Sequence, residues 1–194
     1  MIYPINNESI KFAKSLINDG EIIAYPTDTL YGFGVDATNS EAITKLNILK
    51  GRTEPLSIII PNVNEIKNYA EINSKNLNKI SKYLPGPYTL LLNKKDSILS
   101  NLITYGSEFI GIRIPKHDFP IILSKELKKP IVTTSINQTG KKPLNKIDSI
   151  ESHYPEIAIF EDQNQNQNNS TGSTIINLID DEVLIRQGDG DFPL

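Results

Sequence analysis

The sequence predicts an α/β fold: an open, twisted, mixed sheet flanked by helices. Two observations carry that prediction. Segments with helical periodicity alternate with short apolar runs of strand length along most of the chain. Proline, glycine and asparagine punctuate the boundaries between them. The composition agrees, with 38% hydrophobic and 22% charged residues over 194 positions, as in ordinary globular proteins. That length suits one domain over residues 1–194, with enough chain to bury a substantial core.

Each element has a local reason. Asn6 or Asn7 caps a first helix with Ile10, Ala13, Leu16 and Ile17 on one face, and Gly20 ends it. Residues 21–25 form a strand stopped by Pro26. Asn39 or Ser40 caps a second helix that turns Ala42, Ile43, Leu46 and Leu49 inward. The run 56–60 is too short for a helix and is a strand. Residues 76–84 are helical up to the Pro85-Gly86-Pro87 breaker. Strands follow at 88–92, 109–114 and 131–134, with a helix over 120–127 between the last two. Further strands are expected at 157–160, 174–178 and 183–186, the last two joined as a hairpin across Asp180-Asp181. Residues 162–170 are polar and of low complexity, and are expected as a surface loop within the domain. Because this loop precedes Ser173 and Thr174, a lid role is a hypothesis for it.

Composition narrows the function. With no cysteine, disulfides and Cys-based zinc sites are excluded, and two histidines make a His-rich metal site a poor expectation. The net charge of −3 argues against a general nucleic-acid binder, so any phosphate site must be a local cluster. No apolar run approaches the roughly 20 residues of a membrane span, and the first residues lack a signal-peptide core. The chain reads as soluble and cytoplasmic, with no membrane partner.

Five segments carry candidate chemistry. The first is Tyr25-Pro26-Thr27-Asp28-Thr29-Leu30-Tyr31-Gly32-Phe33-Gly34, which follows a strand and offers hydroxyls and N–H groups to a small polar ligand. The alternative is a plain strand-to-helix turn. Lys50-Gly51-Arg52 ends the second helix, where Gly51 lets both cations turn toward one anion; a basic turn answering the helix dipole is the alternative. Arg113 stands within an apolar strand and needs a partner, either a ligand carboxylate or an internal acid, unless it lies on a solvated edge. Thr133, Ser135 and Asn137 follow another strand as neutral donors, or close an ordinary turn. Ser173, Thr174 and the strand-end Arg186 complete the set, with an exposed surface arginine as the alternative for Arg186. All follow strand ends, where ligand sites of α/β sheets lie. The Walker and dinucleotide phosphate-cradle motifs are absent.

In order and spacing, AYPTDTLYGFG, KGR, PLSIII, LPGPYTLLL, GIRIP, TTSINQTG, STIIN and LIRQG resemble the YrdC-like threonylcarbamoyl-AMP synthases in their short, single-domain form. The resemblance implies an open twisted sheet over a concave, positively charged cavity. It implies a nucleotidyltransferase that makes threonylcarbamoyl-AMP and pyrophosphate from L-threonine, bicarbonate and ATP. The product serves N6-threonylcarbamoyladenosine formation at position 37 of tRNA, through tRNA-modification complex proteins. By resemblance, Lys50 and Arg52 hold the ATP phosphates and act as the catalytic pair, with Thr133, Ser135, Asn137 and Arg186 at the nucleotide. Thr27, Arg113, Ser173 and Thr174 bind threonine. Mg2+ is expected with ATP, held by phosphates and water and not by a protein cage. Ser57 receives no role. An RNA-binding module, or a related chain acting on another carbamoyl compound, are the alternatives.

Overall fold

The structure is a computed structural model that describes residues 1–51, 54–138, 140–163 and 169–193. Its strands are β1 (Ile2–Pro4), β2 (Ile23–Tyr25), β3 (Gly32–Gly34), β4 (Ser57–Ile59), β5 (Tyr88–Asn93), β6 (Phe109–Arg113), β7 (Ile131–Ser135), β8 (Ala158–Glu161), β9 (Thr174–Asn177) and β10 (Val183–Arg186). Its helices are α1 (Asn7–Asn18), α2 (Ser40–Lys50), α3 (Ser74–Tyr83), α4 (Asp118–Leu127) and α5 (Ile147–His153). The strands join in one mixed sheet, in the order β1-β8-β2-β3-β7-β4-β6-β5-β9-β10. β1, β8 and β2 run parallel, as do β4 with β6 and β5 with β9, and the remaining pairs are antiparallel.

Both faces of the central sheet are buried, and period-two alternation sorts the side chains between them. In β2, Ile23 and Tyr25 meet α1 and α4, while Ala24 faces the larger core. In β7, Ile131 and Val132 divide the same way, as do Phe160 and Ile159 in β8. Ala13 and Ile17 of α1 lie with Phe119 and Leu123 of α4 on one side. Ala42, Ile43 and Leu46 of α2 lie on the other, with Leu49 packed against them.

The helix ends follow their sequence signals. Asn6 caps α1 and accepts from Ser9, whose side chain accepts in turn from the Asn6 N–H. Asn39 caps α2, and Gly51 ends it in the left-handed region at φ 62°. The antiparallel β9–β10 hairpin is present as expected. β1, β3 and α5 were not expected from the sequence. β3 consists of Gly-Phe-Gly, a poor strand former by propensity. It is a strand because β2 and β7 flank it, and its glycines are needed there: a Cβ on Gly34 would stand 2.5 Å from the Tyr25 ring. α5 is short and begins without a side-chain cap, so it had no start signal.

Candidate active site

Four of the five segments singled out in the sequence contribute to the wall of one hollow of about 370 Å³, within the range of ligand pockets; Lys50-Gly51 is not among its lining residues. Its wall includes Thr29 and Tyr31 after β2, Ser57 of β4, Arg113 of β6, Thr133 and Ser135 of β7, Ser173 before β9, and Arg186 of β10. Strand pairing explains the convergence. Thr133 stands opposite Ser57, Ser57 opposite Gly111, and Gly32 opposite Ser135. Residues distant in sequence thereby become neighbours across the sheet.

Arg113 is the most buried cation of the wall, 7% exposed. Its Nη2 donates to Asp28 Oδ1 at 2.9 Å and to Thr29 Oγ1 at 3.1 Å. Its buried Nε has no hydrogen-bond partner among the described residues. Burial lowers the guanidinium's pKa, and the Asp28 charge opposes that. Asp28 is fixed on its other oxygen by the Lys116 N–H, at 2.8 Å. Arg186 donates to the Ser173 carbonyl at 2.7 Å. Its pKa is also lowered, by burial first and then by repulsion from Arg113. Two mutually repelling guanidinium groups in the wall of one hollow favour the binding of an anion there.

The hydroxyls divide into wall and support. Ser135 lines the hollow and donates to Asn137 Oδ1 at 2.6 Å. Ser173 lines it and shares a 2.8 Å bond with Thr89. Thr133 lines it next to Tyr25, whose hydroxyl pKa is pushed up to about 12 by burial. Thr27 stands behind the wall: it donates to the Leu30 carbonyl at 2.8 Å and accepts the Thr29 N–H at 3.1 Å. It shapes the turn that presents Thr29. Thr174 is fully buried outside the lining and donates to the Gly190 carbonyl at 2.6 Å.

Lys50 is almost completely buried at the end of α2. Its ammonium donates to the Ser135 carbonyl, to the Asn137 carbonyl at 2.9 Å and to Asn137 Oδ1 at 3.2 Å. It therefore stands directly behind the turn that carries Ser135. Arg52 lies outside the described residues, as does part of the 162–170 loop. Sequence reasoning missed Asp28, Thr29, Tyr31, Ser57 and Thr89 at this site. Asp28, Thr29 and Tyr31 were within a segment already singled out, but nothing in the sequence distinguishes its wall residues from its supporting ones.

A second, larger hollow of about 730 Å³ lies beyond the Asp28–Lys116 contact. Four prolines line it together with Ile114, His117 and Asp162. It gathers none of the predicted ligand residues. Tyr31 stands between the two hollows: it lines the smaller one and takes a main-chain hydrogen bond from Asp162. Burial raises the Tyr31 pKa to about 12.

The Sua5, YciO and YrdC family, described as "Telomere recombination", matches residues 15–188. The chain belongs to that family. A Methanocaldococcus jannaschii protein, provisionally named a threonylcarbamoyl-AMP synthase, is 37% identical over 194 residues, covering 96% of this chain and 91% of that one. The Bacillus subtilis threonylcarbamoyl-AMP synthase is 33% identical over 150 residues, covering 75% of this chain but 43% of its own length. The crystal structure of P. abyssi Sua5 complexed with L-threonine superposes with a TM-score of 0.87 at 29% identity, over 97% of this chain and 57% of that one. Against these last two relatives, the chain spans about half of their length. Among the described residues, no helix of this family member is long and apolar enough to cross a membrane.

Proposed function

We propose that the protein forms threonylcarbamoyl-AMP and pyrophosphate from L-threonine, bicarbonate and ATP, as a nucleotidyltransferase. The observation that carries this reading is the hollow whose wall holds both Arg113 and Arg186 together with the hydroxyls of Ser135, Thr133 and Ser173. The family, and the synthase names among its relatives, support the substrate assignment.

In this reading, the threonine amine joins the carbon of bicarbonate with loss of water and becomes a carbamate. A carbamate oxygen then attacks the α-phosphorus of ATP, the bond to the β-phosphate oxygen breaks, and pyrophosphate leaves. The carbamate and ATP are both anionic, so the protein's task is to hold anions together in line. Arg113 pairs with the threonine carboxylate while Asp28 fixes its guanidinium. Thr29, presented by Thr27, and Ser173 complete the amino-acid side, with Thr174 holding Ser173's chain in place. Ser135, Asn137 and Thr133 serve the nucleotide. Lys50 sets their turn and lends it positive charge, while Arg186 and Arg52 take the phosphates. Mg2+ bound to the ATP phosphates would supply charge neutralisation to the leaving pyrophosphate. The product passes to tRNA-modification proteins for position 37 of tRNA, in the cytoplasm.

The test is product chemistry. With labelled bicarbonate, L-threonine and ATP, label is expected in an adduct that also carries AMP absorbance. Label found in no adenylate, with active relatives run alongside, would overturn the proposal.

A further inference from the structure

We infer that Asp189 is a positioning residue that holds residues 170–173, of which Thr171, Gly172 and Ser173 form one edge of the hollow, in the shape that receives the amino acid; what is received rests on the function proposed above. Asp189 does not line the hollow. Its polar atoms nevertheless engage that edge. Ser170 Oγ donates to Oδ2. The Thr171 N–H and hydroxyl donate to Oδ1 at 2.7 and 2.9 Å. The Asp189 N–H donates to the Gly172 carbonyl at 2.8 Å.

The two stretches of main chain also touch. A Cβ on Gly188 would lie 2.2 Å from the Gly172 oxygen and 2.5 Å from the Ser173 carbonyl carbon. This closeness brings Arg186, two residues earlier, onto the Ser173 carbonyl. The Asp189 carboxylate thus reaches the wall through Thr171, Gly172 and Ser173. Its negative charge also supports the charged forms of Arg113 and Arg186.

Three donors converge on this side chain, which calls for a group that only accepts. Asparagine would turn an NH2 toward one of them and so keeps part of the clamp. Alanine removes all of it. The edge then wanders before substrate binds, while the bound complex reacts much as before.

The experiment compares wild type, Asp189→Asn and Asp189→Ala. For Asp189→Ala, the KM for L-threonine is expected to rise about tenfold with kcat within about twofold, and Asp189→Asn should fall between. Amide exchange at Thr171 should quicken about tenfold or more in Asp189→Ala, with the exchange of the β4 and β7 amides unchanged. Unchanged Thr171 exchange would overturn the clamp, whatever the kinetics. Quickened exchange with an unchanged KM would overturn the positioning role. If wild type itself shows no threonine-dependent turnover, the proposed function fails and the kinetic half of this inference with it, while the exchange data still decide the clamp.

Discussion

Lys50 reaches from the end of α2 to the turn after β7, where its ammonium donates twice to Asn137, at 2.9 Å to the main-chain oxygen and 3.2 Å to Oδ1. A cation so buried, with its protons on fixed oxygens, ties the turn into one arrangement. Lys50→Met keeps the aliphatic stem and removes the tie. Stability should fall by about 1–3 kcal/mol as buried oxygens lose their donor. Turnover should fall roughly 10²-fold, the usual scale for losing an electrostatic group at a reacting site. Urea titration and steady-state kinetics check the two effects, and a variant unchanged in both contradicts the tie.

Asp28 and Arg113 form a buried pair, each side chain 9% exposed. Removing only the acid leaves a buried charge short of its partner. Asp28→Ala should therefore cost about 3–5 kcal/mol, whereas Asp28→Ala combined with Arg113→Met should cost less. A double-mutant cycle measured by denaturation tests this. Simple additivity would show that the pair is not coupled.

Gly111 lies opposite Ser57, a residue of the hollow's wall, in the β4–β6 pairing. An added Cβ would stand 2.4 Å from Ser57 Oγ and 3.1 Å from Ser57 Cβ. Gly111→Ala should destabilise by about 1–3 kcal/mol through overpacking. Ser57→Ala in the same chain should recover part of that loss, because the hydroxyl is the nearest obstacle. Thermal unfolding of the single and double variants is the check.

Tyr25 gives a pH signature. Burial raises its pKa from 10.0 to about 12 in the folded state. The folded protein therefore binds that proton more tightly than the unfolded chain does. Its contribution is intact below pH 10 and is lost as pH rises toward 12, roughly 2–3 kcal/mol for a shift of this size. Tyr25→Phe should flatten the decline of stability between those two pH values, though its absolute stability changes for other reasons too. Equal slopes in the two proteins would contradict the assignment.

Much of the fold was legible because apolar periodicity separates helix from strand, as at 40–50 and 131–135. β3 was not legible. Two of its three residues are glycines, which disfavour strands, and the pairing with β2 and β7 makes it one. At the site, residue types at strand ends marked the right segments. They could not rank neighbours within a segment. Thr27 and Thr29 read alike in sequence, yet one supports the turn and the other lines the hollow. Asp189 stayed invisible because it acts on a loop nearly twenty residues earlier in the chain, and only the β9–β10 hairpin brings the two together.

The most direct test is pyrophosphate release from ATP by the purified protein, run complete and with L-threonine or bicarbonate left out in turn. Release is expected only in the complete mixture and should be largely lost in Arg113→Ala. Release that continues at full rate without threonine, or that is indifferent to Arg113, would contradict a hollow that holds nucleotide and amino acid side by side.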